Sequence, residues 1–572
     1  MTNPLSSSTR IPRNLRVRHT EEVIKPSFTR EEILSARLRV SKVLPYQRSA
    51  TPFVSNLALA ICSGLLLVFA FPEWSLWSLA WVGVAPLIMA VAREQRFFRS
   101  LLLGTVTGTV FYIGTSHWIG YSIRNYGGVN PWLTDLVIAF FGVILGSFTG
   151  LFAGMLAAAV KRLGGWAVMA APALWVGSEW CRLQVTGIGW NSLGYSQAFQ
   201  PLIIQIAQAG GVYIVSALLV YASAAMVFAL IYLEHTRGVV VLTSAGVLAL
   251  ATLMYGRATI PQQPVRGTVK VAAIQPNLPI QAEWDDRNFI DQMTDRQIAM
   301  SERAIKSCLD ESGGQQRVEL VIWPESPIDY VYDRDPALKA KLAGFTRRNN
   351  VSLIMSSWWP SQSGGFFNSA VLIPASGDAI SRYDKIGLMP FGEYVPARGL
   401  IPFADRIPAL AGDTAAGSAL HLFDVAGVRI GVNICFETTR PELARRLRVQ
   451  GASALIQSSN EAWFGPTAVA RQMLAHAALR AVENNTELIR VANSGVSARI
   501  DRYGRVLDIC PSFESAARLW DFLPASDPAD TGPTFYSRHG DVFAAVCATL
   551  GLLFVMTALI YERLKGKEET DD

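Results

Sequence analysis

Three short segments carry side chains that together could transfer an acyl group. The first is Val321-Ile322-Trp323-Pro324-Glu325-Ser326-Pro327, an apolar run stopped by proline with a carboxylate at its end. The second is Tyr383-Asp384-Lys385, followed by Pro390-Phe391-Gly392-Glu393-Tyr394-Val395-Pro396. The third runs from Val428 through Asn433-Ile434-Cys435-Phe436-Glu437, a β-branched stretch that ends on a cysteine. A desolvated glutamate has a raised pKa and can take a thiol proton. A lysine ammonium can stabilise a tetrahedral oxyanion. A cysteine sulfur forms a thioester and so splits one acyl transfer into two steps. Taken singly, each residue has a second reading: Glu325 as a helix cap, Lys385 on a solvated face, Cys435 as a buried core cysteine.

The elements around these residues bear on the choice. Val428–Ile434 reads as a buried strand, and Pro441-Glu442-Leu443 opens a helix with Pro near its first turn. Cys435 therefore falls on a strand-to-helix turn, where backbone N–H groups can bind an oxyanion and a helix N-terminus favours a thiolate. Further strands are expected at Val269–Ile274, Leu320–Trp323, Ser352–Ser356, Ala370–Ile373, Leu455–Ser458 and Leu488–Ala492. Helices are expected at Asn288–Leu309, Pro336–Arg348, Pro441–Val449 and Ala468–Asn484. After a Pro-containing linker (Ile260–Pro264), residues 267–540 thus read as one soluble α/β domain.

The rest of the chain is different in kind. Of 572 residues, 51% are hydrophobic and only 17% charged, against about 25% charged in an ordinary soluble protein. Seven hydrophobic spans precede the soluble domain, at about 53–71, 75–92, 101–121, 132–160, 165–181, 203–233 and 238–255, and an eighth lies at about 541–560. Each is near or above the roughly 20 residues that cross a bilayer as a helix. Arg93, Arg96 and Arg99, then Lys161 and Arg162, then Arg237 fall in even-numbered loops, and Arg563, Lys565 and Lys567 follow the last span. The excess of positive residues puts those loops and both termini inside the cell, and residues 257–540 outside, in the periplasm of a Gram-negative cell. The expected organisation is a basic cytoplasmic tail (1–52), seven membrane helices (53–256), a periplasmic domain (257–540), an eighth helix (541–561) and a short cytoplasmic tail (562–572). Ten Lys/Arg and four acids in residues 1–50 account for the whole net charge of +6, so basicity belongs to a tail and not to a nucleic-acid-binding face. The tail reads as largely disordered, while a capping-box pattern at Thr29-Arg30-Glu31-Glu32 allows one short surface helix there.

In the fifth span, Glu179 and Arg182 are three residues apart, a spacing that lets them pair within the membrane. The Gly187–Gln197 loop that follows is rich in glycine and aromatic residues. It reads either as helix packing with an interfacial belt or as support for the mouth of a lipid-accessible site. The six cysteines and six histidines are scattered, with no spacing that suggests zinc or a disulfide framework.

The motifs WPES, YDK, PFGEYVP, NICFE and Ser458–Gly465 (SSNEAWFG) resemble the nitrilase superfamily of carbon–nitrogen hydrolases. With the membrane spans, residues 53–561 resemble the apolipoprotein N-acyltransferase family, in which a nitrilase-type domain sits between the seventh and eighth spans. Arg480-Ala481-Val482-Glu483, Asn493-Ser494-Gly495 and Thr534–Asp541 fit the same family. The resemblance implies an eight-helix membrane bundle carrying an αββα sandwich. It implies Glu325 as base, Lys385 as oxyanion lysine and Cys435 as nucleophile. It implies supporting roles for Glu393, Phe436 and Glu437, and substrate-binding or gating roles for Trp284, Trp463 and Phe464. It implies neither metal nor cofactor. The acyl donor would be a phospholipid, phosphatidylethanolamine by resemblance, and the acceptor a diacylated apolipoprotein at the inner membrane, with the enzyme a monomer. Phe436 stands where many members carry tyrosine, and Glu461 where many carry aspartate.

Two competing readings remain at this level. A membrane-tethered amidase or nitrilase acting on a soluble C–N bond could use the same three residues, in a water-open pocket. A catalytically dead scaffold or transport module would not need Cys435. For acyl transfer, the thioester must be kept from water, so apolar loops over the site are expected at Gly387–Pro390 and Leu400–Leu410.

Overall fold

The computed structural model describes residues 52–571, excepting 234, 263–268, 281–286, 326–327, 329, 363, 396–413 and 523–531. The basic tail, Trp284 and the expected loop Leu400–Leu410 lie outside the described residues.

The N-terminal part is helical. Its main helices are α1 (Phe53–Ala70), α2 (Ala85–Glu94), α3 (Phe97–Ser116), α4 (Pro131–Leu163), α5 (Ala171–Thr186), α6 (Val212–Ile231) and α7 (Thr236–Thr259). Their apolar residues are buried against one another in part and exposed elsewhere. Leu87, Leu103, Phe152, Leu219 and Phe228 are buried, whereas Val239, Val247 and Met254 of α7 stand exposed. Helices α3 and α4 pack at backbone distance, because a Cβ on Gly108 would lie 2.5 Å from the Cα of Gly146. Small residues at such a crossing are what let membrane helices gain van der Waals contact. Asn130 caps α4 by accepting from the Trp132 N–H, ahead of Pro131 in its first turn.

Several expected spans differ from the structure, and that at 203–233 is divided into Pro201–Ile204, Ala207–Gly210 and α6. The span at 75–92 is not one helix. It breaks into Trp77–Leu79, Ala80–Gly83 and α2, since Pro86 cannot donate to the preceding turn. The spans at 132–160 and 165–181 form one apolar stretch, Pro131–Thr186, interrupted by a tight turn at Gly164–Ala170 where Gly164 takes φ +73°. Among the described residues, six stretches are long and apolar enough to cross a membrane, the last being Val542–Tyr561.

The second part alternates strands and helices. The first sheet has the order β12-β1-β2-β3-β4-β5. Its strands are β1 (Val269–Gln275), β2 (Leu320–Ile322), β3 (Ser352–Pro360), β4 (Phe366–Ile373), β5 (Ser381–Asp384) and β12 (Ala516–Phe522). The second has the order β11-β10-β9-β8-β7-β6, from β6 (Leu422–Val425), β7 (Val428–Ile434), β8 (Ala454–Ser459), β9 (Leu488–Ala492), β10 (Ser497–Ile500) and β11 (Val506–Cys510). Helices α8 (Arg287–Glu311) and α9 (Pro336–Asn349) cover the first sheet, and α10 (Pro441–Val449) and α11 (Val469–Asn484) cover the second.

Side-chain alternation builds the layers. Val269, Val271 and Ala273 of β1 meet Ile430, Val432 and Ile434 of β7 between the sheets, while Ala272 and Ile274 turn outward to α8 and α9. The result is an αββα sandwich. Strands β7, β8 and β9 run parallel, with Ile434 opposite Ser458, so the ends of β7 and β8 emerge side by side. The seven strands read from sequence are present within a few residues of their expected ends, and β5, β6, β10, β11 and β12 join them.

Helix α11 joins the two parts. Every residue in it except Arg471 is buried. Ala470, Leu474 and Ala478 pack on the second sheet, while Ala475, Leu479 and Val482 pack into the core of the membrane helices. The final helix, α12 (Val542–Asp571), returns against α5.

Candidate active site

Cys435 begins a tight turn, Cys435–Thr439, between β7 and α10. Its φ is +49°, a left-handed conformation that a non-glycine residue adopts only when its surroundings hold it there. Glu437 supplies the hold. This fully buried carboxylate accepts from the N–H of Ile434 at 2.8 Å, on the strand side of the cysteine. Its other oxygen accepts from Tyr383 Oη at 2.7 Å, Ile386 N–H at 2.8 Å and Gly387 N–H at 2.9 Å.

Glu325, just past the end of β2, and Lys385, just past the end of β5, converge on the same place. Lys385 Nζ lies 3.5 Å from Glu325 Oε1 and 2.8 Å from Glu393 Oε1. Asn368 of β4 donates its amide to both carboxylates, at 2.8 Å to Glu325 and 3.1 Å to Glu393. The second Glu393 oxygen accepts from Met389 N–H at 2.8 Å. Glu393 and Glu437 therefore pin Gly387–Met389 from both sides, so this expected cover segment is held to the site by hydrogen bonds.

The electrostatics follow from burial. Burial raises the Glu325 pKa, and the Lys385 ammonium offsets only part of that. Burial opposes the Lys385 charge, but Glu393 and then Glu325 outweigh it, so the lysine stays protonated. Burial and then the Glu325 carboxylate push the Cys435 thiol well above its ordinary value. This upward push on the thiol runs against the thiolate-favouring turn expected from sequence. Glu437 is likewise raised by burial, against the pull of the Gly387 and Ile434 amides.

The wall beside Cys435 is aromatic. Phe436, Phe464, Val469 and Met473 from the sandwich cluster with Trp118 and Trp190 from the membrane part, and Cys435, Met389 and Trp463 pack against them. Trp118 meets Trp190 at 5.0 Å and Phe464 at 4.8 Å between ring centroids. Trp463 stacks edgewise on Tyr126 at 5.0 Å. The expected residues Glu325, Lys385, Glu393, Cys435, Phe436, Glu437, Trp463 and Phe464 are thus gathered at one place. Glu461 sits behind it, buried, paired with Arg490 and bonded by Ser459. Its extra methylene fits because residue 495 is glycine: a Cβ there would lie 2.0 Å from Glu461 Oε2.

Sequence reasoning missed Asn368, although a lone asparagine amid the apolar residues of β4 is a signal, since strands disfavour that side chain. It also missed Trp118. The expected Glu179–Arg182 pair is not formed. Glu179 accepts from Leu193 N–H at 2.7 Å and Trp175 Nε1 at 2.9 Å, and Arg182 donates to Ile188 O at 2.7 Å. Both residues instead hold the Gly187–Gln197 loop that presents Trp190.

Two stacked sheets between helix layers define the class. Residues 270–517 match the carbon-nitrogen hydrolase family, and residues 63–225 match the apolipoprotein N-acyltransferase N-terminal domain. An apolipoprotein N-acyltransferase from Geobacter metallireducens is 34% identical over 523 residues, spanning 88% of this chain and 95% of the relative. Another, from Allorhizobium ampelinum, is 32% identical over 418 residues, spanning 71% of this chain and 76% of the relative. A third, from Haemophilus ducreyi, is 28% identical over 511 residues, spanning 86% and 96%. The solved structure of Saccharomyces cerevisiae Nit3, of the nitrilase superfamily, aligns with 48% of this chain and 94% of its own at 17% identity and a TM-score of 0.34, too weak a likeness to add to this. The chain belongs to the apolipoprotein N-acyltransferase family.

Proposed function

We propose that this protein N-acylates lipoproteins by a two-step transfer through Cys435. The observation that carries the reading is the convergence of Glu325 and Lys385 on a thiol whose wall is built partly by membrane-side tryptophans. In the first step Glu325 takes the Cys435 proton as sulfur attacks the sn-1 ester carbonyl of a phospholipid. Lys385 and the Phe436 backbone N–H stabilise the oxyanion. The ester C–O bond breaks, the proton on Glu325 passes to the departing oxygen, and lysophospholipid leaves a thioacyl-enzyme. In the second step the α-amine of an S-diacylglyceryl-cysteine attacks the thioester carbonyl, the C–N bond forms as the C–S bond breaks, and the proton lost by nitrogen returns to the Cys435 sulfur through Glu325. Glu393 keeps Lys385 charged and placed, and Glu437 holds the Cys435 turn. Trp463 and Phe464 bound the entry for the acyl chains, and Trp284 takes the substrate-binding or gating role that the family resemblance gives it.

The acyl donor is phosphatidylethanolamine, and the enzyme works as a monomer in the inner membrane without cofactor or metal. Eight crossings serve it. The long stretch Pro131–Thr186 counts as two, the broken run at 75–92 as one, and the other five apolar helices complete the set. Residues 53–256 form the membrane part, 257–540 the periplasmic catalytic part and 541–561 the last crossing. Residues 1–52 and 562–572 are cytoplasmic tails, in keeping with the Lys/Arg-rich even loops. Both substrates reside in the bilayer, which gives seven preceding helices a purpose that one anchor of roughly 20 residues would not need.

The test is incubation with phosphatidylethanolamine vesicles and a diacylated lipopeptide. The expected products are lipopeptide heavier by one acyl chain and a lysophospholipid, both absent with Cys435→Ser. Ammonia release from a short soluble amide with no lipopeptide product would favour a tethered amidase instead.

A further inference from the structure

The proposed thioester must outlast its exposure to water until the amine arrives, and one polar side chain on α11 is placed to secure that. Gln472 is 1% exposed, and its side chain makes four hydrogen bonds, all to the membrane part. Its Oε1 accepts from Trp190 Nε1 at 2.8 Å and Trp118 Nε1 at 3.2 Å. Its Nε2 donates to Thr115 O at 2.8 Å and Pro72 O at 3.1 Å. A side-chain amide saturated in this way fixes both indoles in one orientation. Those indoles form the membrane-side half of the apolar wall against which Cys435 packs.

The two tryptophans are not equally held. Trp118 Nε1 also reaches Thr115 O at 3.1 Å. The Trp190 N–H has no acceptor but Gln472 among the described residues. Trp190 otherwise rests on tilted ring contacts, with Trp118 at 5.0 Å and His476 at 5.1 Å.

We infer that Gln472 is a positioning residue that locks Trp190 over the Cys435 thioester and so directs the acyl group to the amine acceptor rather than to water. This rests on the acyl-transfer reading above. In the leak it prevents, water oxygen attacks the thioester carbonyl, the C–S bond breaks, the fatty acid leaves, and a water proton returns to sulfur.

The experiment measures free fatty acid released per lipopeptide acylated, by full-length protein given phosphatidylethanolamine vesicles and a diacylated lipopeptide. The decay of the thioester adduct without acceptor is followed by intact mass. Gln472→Met keeps the shape and removes the hydrogen bonds, leaving Trp190 without a buried acceptor, a cost worth about tenfold in a competing rate. It is expected to raise the fatty-acid share about tenfold and to shorten the adduct lifetime in proportion. Gln472→Glu still accepts from both indoles but turns an oxygen toward the carbonyls of Thr115 and Pro72, so it is expected to lower the detergent melting temperature while raising the fatty-acid share less than Gln472→Met does. Trp190→Phe removes the N–H itself and is expected to follow Gln472→Met, which keeps the test open if the methionine variant does not fold. A lower adduct yield with an unchanged share and lifetime in the folded variants would mean a purely structural Gln472 and overturn the inference. A wild-type protein that forms no adduct at all would instead remove the acyl-transfer reading beneath it.

Discussion

The Glu437 carboxylate accepts from the backbone N–H of Ile386 at 2.8 Å, and Ile386 directly follows Lys385. The same carboxylate accepts from Ile434, directly before Cys435. One buried side chain therefore sets the distance between the proposed oxyanion lysine and the proposed nucleophile, across two different sheets. Tyr383, in contact with the same oxygen, extends the tie into β5.

Replacing Glu437 with glutamine turns an amide NH2 toward groups that are themselves donors. Loss of a buried hydrogen bond there costs about 1–3 kcal/mol. Glu437→Gln is expected to lower thermal stability modestly and thioester formation by a hundredfold or more, on the order of the loss seen when catalytic groups are misplaced by about 1 Å. Thermal melts in detergent beside single-turnover acylation separate the two effects. Full single-turnover acylation in a destabilised variant would contradict the tie.

The proposed base sets the pH dependence. Glu325 must be ionised to take the thiol proton, and burial raises its pKa above the usual carboxylate range. The acylation rate should fall as pH drops through that raised value and hold a plateau above it. The Cys435 thiol is raised as well, so alkylation by iodoacetamide should be slow at neutral pH and speed up only at alkaline pH. Glu325→Gln should remove the acid limb together with the activity. Rapid alkylation at neutral pH would show a resting thiolate and contradict the general-base assignment.

Lys385 pairs with two neighbouring carboxylates at once. Lys385→Met leaves Glu325 and Glu393 facing each other without a cation, a change that typically costs about 3–5 kcal/mol when a buried charge loses its partner. Acylation should fall by roughly 10²–10³ from the lost oxyanion contact alone. Lys385→Arg keeps the charge and should recover more stability than rate. Equal recovery of both, measured by melts and acylation kinetics, would assign the lysine to packing.

The crossing of α3 and α4 has its own test. Gly108→Leu would drive a side chain into the backbone at Gly146, 2.5 Å from where the Cβ would begin. Overpacking of this kind costs about 1–3 kcal/mol or more. A drop in the detergent melting temperature is expected, with the sheets of the sandwich intact by circular dichroism. An unchanged melt would place the two helices further apart than described.

Periodicity made much of this fold legible. Val428–Ile434, Leu488–Ala492 and Pro441–Val449 have the ends the sequence implied, because a β-branched run and a proline-led helix carry their signals locally. Strands β5, β10, β11 and β12 were hidden. Arg382, Arg499, Asp508 and Arg518 interrupt them, and their stability comes from ladder partners distant in sequence, such as Ala273 opposite Arg518. The helix at 75–92 misled for the reverse reason: hydropathy sees composition, while Pro86 decides continuity. In the site, Glu325, Lys385 and Cys435 were readable as motifs. Asn368 and Gln472 were not, since an amide's role is set by partners on other elements, here Glu393 and the two tryptophans. Glu179 and Arg182 show the same limit. Helical spacing allowed a pair, and the Gly187–Gln197 loop offered both of them better partners.

The most direct measurement is the intact mass of purified protein after incubation with phosphatidylethanolamine alone, for wild type and Cys435→Ser. The account predicts one acyl adduct on the wild type, removed by hydroxylamine and discharged on addition of diacylated lipopeptide, and none on the variant lacking the thiol. Lipopeptide acylation without any adduct on Cys435, or an adduct that persists in Cys435→Ser, would contradict it.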